Sequence, residues 1–151
     1  MLPGPTLVKK CPSCEGLLQE ETMASGNTIG ATFWTDGKRE APMLPDFPWM
    51  VKCAHCGELL WVDELEQVDE LRWGDRDPQN EKSLPYHLAN EADYLKALET
   101  IEANPNKERY LRMRLWWTRN DARRKGKTDL SLKESEIPNL NQLFHLLDPE
   151  D

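Results

Sequence analysis

The chain has 151 residues and a formal net charge of −8, from 19 Lys and Arg against 27 Asp and Glu. This length fits one ordinary domain or two small ones, and a hydrophobic fraction of 38% argues against a single large core. The acidic balance argues against a protein that coats nucleic acid with its whole surface. No stretch approaches the roughly 20 apolar residues that span a bilayer, and the N-terminus lacks the apolar segment of a secretory signal. We therefore expect a cytoplasmic protein with no membrane partner.

The four cysteines form two pairs, Cys11 with Cys14 and Cys53 with Cys56, and two residues separate the members of each pair. A two-residue spacer allows a tight turn to direct two sulfurs at one ion. Four thiolates complete the tetrahedral shell that Zn²⁺ adopts in structural sites. We therefore predict one structural zinc ion bound by all four cysteines.

The residues around the two pairs repeat as well. Lys10 and Lys52 precede the pairs, and a glycine, a glutamate and two leucines follow each pair. Glycine suits the residue after such a turn, where the backbone approaches sulfur and φ can be positive. The lysines can offset the negative charge of four thiolates around one zinc ion. The paired turns resemble those of zinc-ribbon proteins, in which two β-hairpin knuckles hold one zinc ion, and this resemblance implies a β-rich ribbon.

The segment between the pairs, 15–52, has 38 residues. It is longer than the corresponding segment of many zinc ribbons, so we expect it to form structure of its own. Its part 24–46 is also similar to a family of uncharacterised bacterial proteins with a zinc-ribbon start. That resemblance covers roughly residues 1–65 and implies no activity.

Three other uses of the cysteines are open. Two disulfides would require an oxidising compartment, and no export signal is visible. A redox CxxC normally has a single pair in a strand–CxxC–helix setting. A catalytic zinc needs an open coordination position, which four cysteines do not leave. His55 could replace one cysteine as a ligand, but we favour a structural ion with His55 as a polar spacer inside its knuckle.

Segment 15–52 carries the signals of strands and loops. Residues 28–34 are rich in β-branched and aromatic types, and Asp36 with Gly37 marks a hairpin turn. Three prolines between positions 42 and 48 exclude a central strand, because proline lacks the N–H that such a strand needs. The apolar residues around these prolines either cover the zinc site or form an exposed surface for a protein partner. The candidates for this surface are Phe47 and Trp49.

Residues 59–62 look like the strand that closes the ribbon, which we place at 1–66. Segment 67–90 is acidic and contains two X–Pro steps that break regular structure. We interpret it as a connector that can contain a short strand or turn around 71–73. Paired carboxylates in this segment could support acid–base chemistry. No apolar pocket is evident to raise a carboxyl pKa, and we favour a solvated connector.

Segment 91–151 carries helical signals. Asn90 can cap a helix over 91–103, and apolar residues recur there at three- and four-residue spacing. A second helix is expected over 107–120, so that the two form an αα-hairpin. A third short helix after Pro138 should bury Leu140, Leu143, Phe144 and Leu147. The predicted fold class is α+β, with a β-rich N-terminal zinc ribbon followed by a small C-terminal helical hairpin or bundle.

Charge is distributed unevenly along the chain. Segment 107–127 has nine basic and two acidic residues, whereas segment 57–104 has 13 acidic and four basic residues. The basic segment could bind nucleic-acid phosphate while nearby aromatic side chains stack on bases. We favour the alternatives, in which it docks on the acidic connector or is a solvated face. The candidates for nucleic-acid contact are Arg119, Arg123, Arg124, Lys125 and Lys127.

No catalytic constellation is evident, because the GxSxG, P-loop and GxGxxG motifs are absent and the cysteines are assigned to a metal. We therefore predict a zinc-binding adaptor that is not an enzyme and that binds another macromolecule, expected to be protein. Nucleic-acid binding through 107–127 is the alternative.

Adjacent residues on a helix point about 100° apart, so one of two neighbouring tryptophans can face a partner. The partner-binding candidates are Phe47, Trp49, Trp116 and Trp117.

Overall fold

The computed structural model of the chain describes residues 1–72, 74, 82–127 and 129–147. The chain divides into two compact units, Met1–Ala89 and Asn90–Asp151. The fold class is α+β as predicted, since the strands lie in the first unit and the α-helices in the second. None of the helices among the described residues has the length and apolar character needed to cross a bilayer.

The strands of the first unit are β1 (Leu2–Lys10), β2 (Leu17–Ser25), β3 (Thr32–Phe33), β4 (Arg39–Glu40), β5 (Met50–Lys52), β6 (Leu59–Trp61), β7 (Glu66–Leu71), β8 (Leu84–Pro85) and β9 (His87–Leu88). These described strands form three sheets. A four-stranded sheet has the order β7-β1-β2-β8, a three-stranded sheet has the order β6-β5-β9, and β3 pairs with β4. Only the short β2–β8 pair is parallel among the strands that the structure describes.

Each cysteine pair lies in the connection of a β-hairpin. Lys10 at the end of β1 pairs with Leu17 at the start of β2, and Lys52 at the end of β5 pairs with Leu59 at the start of β6. One buried cluster of this unit includes two of the cysteines. Its members among the described residues are Cys11, Leu18, Val51, Cys53, Leu60 and Val62, and Val8, Ala41 and Met50 are buried as well. The two hairpins therefore hold their knuckles next to the apolar core.

The turn predicted at Asp36 and Gly37 is confirmed, although its strands are short. The predicted strand 28–34 is reduced to β3, which pairs with β4. Gly37 adopts a φ of 81°, a backbone conformation that glycine accepts without steric cost. The Asp36 carboxylate accepts a hydrogen bond from the Lys38 backbone N–H at 3.2 Å, which closes the turn.

Segment 67–90, which its sequence predicts to be an acidic connector, contains strands among its described residues. Its described residues contribute most of β7 and the whole of β8 and β9 to the sheets of the first unit. Pairing with β1 positions β7, and the Lys10 ammonium group binds the Glu66 carboxylate at 2.9 Å. Strand formation depends on such neighbours more than on intrinsic preference. Trp73 and segment 75–81 of this prediction lie outside the described residues.

The second unit contains α1 (Glu91–Thr100), α2 (Pro105–Arg124) and α3 (Ile137–Leu147), with a 3-10 turn at Glu134–Glu136. The cap predicted at Asn90 is confirmed. Its side chain accepts from the Asp93 N–H at 3.1 Å, and the Asp93 carboxylate accepts from the Asn90 N–H at 2.9 Å, which is a reciprocal capping box. These bonds fix the start of α1, which ends before the predicted residue 103.

Helix α2 begins two residues before the predicted start and ends four residues after the predicted end. The Asn104 side chain accepts from the Lys107 N–H at 3.1 Å, and Pro105 fits the first helical position because that position needs no N–H partner. The core between the helices is formed by buried residues from all three: Tyr94, Ala97, Tyr110, Leu111, Leu115 and Leu143.

The predicted burial of α3 is only partly correct. Leu143 is fully buried, but Phe144 is 60% exposed and Leu147 is 47% exposed. The face that packs inward also carries Asn139, whose side-chain N–H donates to the Arg112 carbonyl at 3.1 Å. This hydrogen bond lets a polar residue occupy an inward position. The inward face of α3 therefore includes Asn139 and leaves Phe144 and Leu147 exposed.

Candidate metal centre

The two knuckles, residues 11–16 and 53–58, have the same backbone hydrogen bonds. The Cys11 N–H donates to the Gly16 carbonyl at 3.0 Å, and the Cys53 N–H donates to the Glu58 carbonyl at 2.8 Å. These bonds close each hairpin behind its cysteines. The sequence repeat around the two cysteine pairs therefore corresponds to a structural repeat.

A residue with positive φ completes each knuckle, although only one of them is glycine. Gly57 has a φ of 77° and Glu15 has a φ of 59°. Their N–H groups donate to the carbonyls of Cys53 and Cys11, both at 2.9 Å. In the first knuckle, Glu15 adopts the positive φ that the sequence predicts for a glycine. The glycine of this knuckle, Gly16, is the next residue, and its φ is not positive.

The four cysteine sulfurs converge. Their Sγ atoms all lie within 4.8 Å of one another, with Cys11 and Cys56 at 3.9 Å and Cys14 and Cys53 at 3.7 Å. A tetrahedral shell with zinc–sulfur bonds of about 2.3 Å places its sulfurs about 3.8 Å apart. The donor set therefore fits a zinc ion. A disulfide would require about 2.05 Å, and all four cysteines are free thiols.

The four cysteines differ in their surroundings. Cys11 and Cys53 are buried, whereas Cys14 and Cys56 are exposed. The buried pair belongs to the apolar core of the first unit, so the metal centre joins that core to the surface. Because each knuckle supplies two of the four sulfurs, neither knuckle can form the site without the other.

The backbone tunes the acidity of these thiols. Burial opposes ionisation of Cys53, but the N–H groups of Cys56 and His55, together with neighbouring thiols, outweigh it and lower the pKa of Cys53 to about 7. The His55 N–H lies 3.4 Å from the Cys53 sulfur. The N–H of Gly16 acts in the same direction on Cys14, but partial desolvation by neighbouring atoms and hydrogen bonds with the other three thiols raise the pKa of Cys14 to about 12. Binding a metal with four thiolates must therefore release protons.

The two lysines that precede Cys11 form ion pairs within the sheet. The Lys9 ammonium group binds the Glu20 carboxylate at 2.7 Å and donates to the Val62 carbonyl at 2.7 Å. Lys10 binds Glu66. These contacts tie β1 to β2, to β7 and to the residue after β6, so they hold both hairpins in place around the sulfurs.

His55 is not part of the four-sulfur cluster. Its Nε2 lies 2.9 Å from the carbonyl oxygen of Leu17, which is the first residue of β2. Because a carbonyl can only accept, Nε2 carries the proton in this hydrogen bond. His55 therefore links the second knuckle to the first hairpin, a contact that the sequence did not indicate.

The proposed partner-binding residues of the Pro-rich segment lie at the surface. Phe47 is 37% exposed and Trp49 is 51% exposed, and neither belongs to the buried cluster around the cysteines. Phe47 also lines an open groove of about 930 Å³, together with Leu2, Met23 and Leu71. Neither the Phe47 nor the Trp49 side chain therefore belongs to the apolar cover of the cysteines.

The other two candidates, Trp116 and Trp117, are half-buried on α2. The guanidinium group of Arg114 lies over the Trp117 ring, 5.4 Å from its centroid, a cation–π arrangement. One face of the Trp117 indole is therefore covered by a side chain of the same helix. Only the remaining surface of this ring is open to a partner.

The basic residues proposed for nucleic-acid contact are engaged mainly by acidic residues of their own unit. Arg119 binds Glu91 at 2.7 Å, Arg124 binds Asp121 at 2.6 Å, and Arg123 binds the carboxylate of Glu136. Lys125 and Lys127 are exposed. The charges of these three arginines are thus neutralised by carboxylates of the second unit itself.

Comparison of the chain with protein-family models, with curated proteins and with solved structures found no match. The four clustered cysteines, spaced as in a zinc ribbon, could hold a metal ion.

Proposed function

We propose that the chain binds one structural zinc ion through Cys11, Cys14, Cys53 and Cys56, and that this ion braces a surface that binds another protein. The observation that carries the proposal is the convergence of four Sγ atoms within 4.8 Å. Four cysteine ligands leave no coordination position for water or substrate, so the ion has a structural and not a catalytic role. We accordingly propose a binding protein and not an enzyme.

The composition of the core supports a structural role for the metal. Among the described residues, the buried cluster around the cysteines has six members, and two of them are the cysteines Cys11 and Cys53. Binding of zinc to such a module contributes about 10–16 kcal/mol of folding free energy at neutral pH. This contribution can offset the conformational entropy that is lost when a unit with limited apolar burial folds.

The metal content provides the direct test. Elemental analysis of the purified full-length chain should find one zinc per chain, and changing Cys14→Ser should abolish its retention. Cys14 is exposed, so this change removes a ligand without opening a cavity in the core. A chain that is purified without metal and shows an ordered first unit would contradict the proposal.

The position of Phe47 and Trp49 supports binding of a protein. Both precede β5, the strand that leads into the second knuckle, and the Trp49 carbonyl accepts from the Val62 N–H at 2.8 Å. This bond ties the exposed segment to the end of β6. A rigid, Pro-flanked segment with exposed aromatic side chains loses little conformational entropy on binding, and aromatic residues commonly anchor protein interfaces.

The partner surface is tested by changing Phe47→Ala and Trp49→Ala together. We expect this variant to lose the proteins that the wild-type chain captures from lysate, while its zinc content and circular dichroism remain unchanged. The matched control changes Ile29→Ala and Phe33→Ala, two other exposed apolar residues of the same unit. If the first variant retained the same partners as the control, the proposed surface would be wrong.

A further inference from the structure

The two knuckles contact each other at a point that does not involve sulfur. The His55 ring donates from Nε2 to the Leu17 carbonyl at 2.9 Å, and it lies directly over Gly16. A Cβ atom added to Gly16 would lie 2.4 Å from Cδ2 of His55, closer than two non-bonded carbon atoms can approach. Gly16 has no positive φ, so a side chain at this position would disturb the His55 ring and not the backbone conformation.

We propose that His55 is a positioning residue that holds the second knuckle against the first and thereby slows the release of zinc. This inference rests on the zinc site of the proposed function. His55 lies between the ligands Cys53 and Cys56 in the chain, and Leu17 follows the first knuckle. The contact therefore connects the two ligand pairs without adding a ligand.

The physical reason concerns how a four-cysteine site opens. Each knuckle supplies two sulfurs, so the ion is lost when the knuckles separate, and the interactions between the knuckles oppose that separation. The His55 contact is one such interaction, since it spans residues that are 38 positions apart. Mutation of a residue that orients ligands from outside the coordination shell typically changes metal affinity by about 10–100-fold. Loss of one neutral hydrogen bond corresponds to a change of roughly fivefold in an equilibrium constant. We expect the smaller effect, because His55 is exposed.

The test measures the rate at which the zinc-loaded, full-length chain transfers its zinc to a chromogenic chelator. His55→Ala should release zinc about fivefold faster than wild type. His55→Gln should stay close to wild type, because its side-chain amide can still donate to Leu17. The matched control is Ser13→Ala, since Ser13 occupies the same position in the first knuckle as His55 does in the second, and its rate should be unchanged.

Gly16→Ala provides an independent test of the same contact. Its methyl group must displace the His55 ring, so this variant should release zinc about as fast as His55→Ala. The double variant should be no faster than the faster single variant, because both changes remove one and the same contact. Effects that multiply in the double variant, or a His55→Ala variant that releases zinc at the wild-type rate, would overturn the inference.

The spectrum of the cobalt(II)-substituted protein separates positioning from ligation. Thiolate-to-cobalt bands that are the same in wild type and His55→Ala show an unchanged ligand set, as positioning requires. A changed spectrum would make His55 a ligand and would also overturn the inference. A wild-type chain that binds neither zinc nor cobalt would instead refute the proposed function itself, so the two failures are distinguishable.

Discussion

Removal of zinc from the full-length chain by a strong chelator should unfold the first unit and leave the helical unit folded. The first unit has a small buried cluster in which two of the metal ligands take part, and it should lose about 10–16 kcal/mol of folding free energy with the ion. The second unit has its own core, formed by residues of all three helices, and contains none of the cysteines. The loss should therefore be confined to one unit.

Amide NMR spectra recorded before and after chelation would measure this effect. Signals from 1–72 should collapse into the narrow range of an unfolded chain, whereas signals from α1, α2 and α3 should keep their dispersion. Restoring zinc should restore the first set. Retention of dispersed signals from β1 and β5 in the metal-free chain would show that the strands fold without the ion.

Changing Glu136→Leu should destabilise the helical unit by about 3 kcal/mol, because it leaves the guanidinium group of Arg123 buried without its charge partner. The Glu136 side chain is 5% exposed and that of Arg123 is 11% exposed. Arg123 also donates to the side chain of Asn120 at 3.0 Å and to the Ser131 carbonyl at 3.1 Å. The pair thus joins the end of α2 to the segment that leads into α3.

Urea unfolding followed by helical circular dichroism would measure the change. The control is Glu134→Leu, the same substitution at an exposed position of the same turn, and it should cost little. The double variant Arg123→Met/Glu136→Leu should recover much of the loss, because replacing both charges with apolar groups is often neutral. Equal effects of Glu134→Leu and Glu136→Leu would show that burial of this pair does not matter.

The same pair predicts a dependence of stability on pH. Burial opposes ionisation of Glu136, but the hydrogen bonds from Arg123 and from the Lys133 N–H outweigh it and lower the pKa of Glu136. A carboxyl group whose pKa is lowered by folding stabilises the protein above its unfolded pKa, about 4.3 for Glu, and this stability is lost as the pH falls through the folded pKa. The helical unit of Glu136→Leu should therefore lose less stability on acidification than that of wild type.

This pairing also determines how nucleic-acid binding can be tested. Charge reversal at Arg123 would destabilise the helices through Glu136 as well as alter phosphate contact. The double change Lys125→Glu/Lys127→Glu avoids this problem, because both lysines are exposed. If the basic segment binds nucleic acid, this variant should weaken a gel shift, and the shift should fall steeply with salt.

Features set by neighbouring residues could be predicted from the sequence. The spacing of the four cysteines indicated the metal ligands, Asn90 indicated the start of α1, and Asp36 with Gly37 indicated a turn. Each of these depends on a few consecutive residues and on bonds they make locally, which is why composition and spacing are sufficient.

Features that depend on distant pairing could not be predicted. β1 contains Pro3, Gly4 and Pro5, residues that argue against a strand. The register with β2 shifts between Pro3 and Thr6, and the pairing with β7 runs from Thr6 to Lys10, so neighbours on both sides support only the second half of β1. β7 is rich in charge and shows little apolar alternation, so its sequence resembled a connector. A strand forms its hydrogen bonds with backbone groups of a strand elsewhere in the chain. The local sequence pattern contains no information about that partner strand.

The sequence by itself therefore determined the donor set of the metal centre and the α+β class, because both follow from residue types and short-range spacing. Only the tertiary structure decided that His55 contacts Leu17, that Gly16 must lack a side chain, and that Arg123 pairs with Glu136. These contacts arise when the hairpins close against each other and when α2 meets the turn before α3. Their geometry depends on how complete elements pack, so it becomes visible only when the chain has folded.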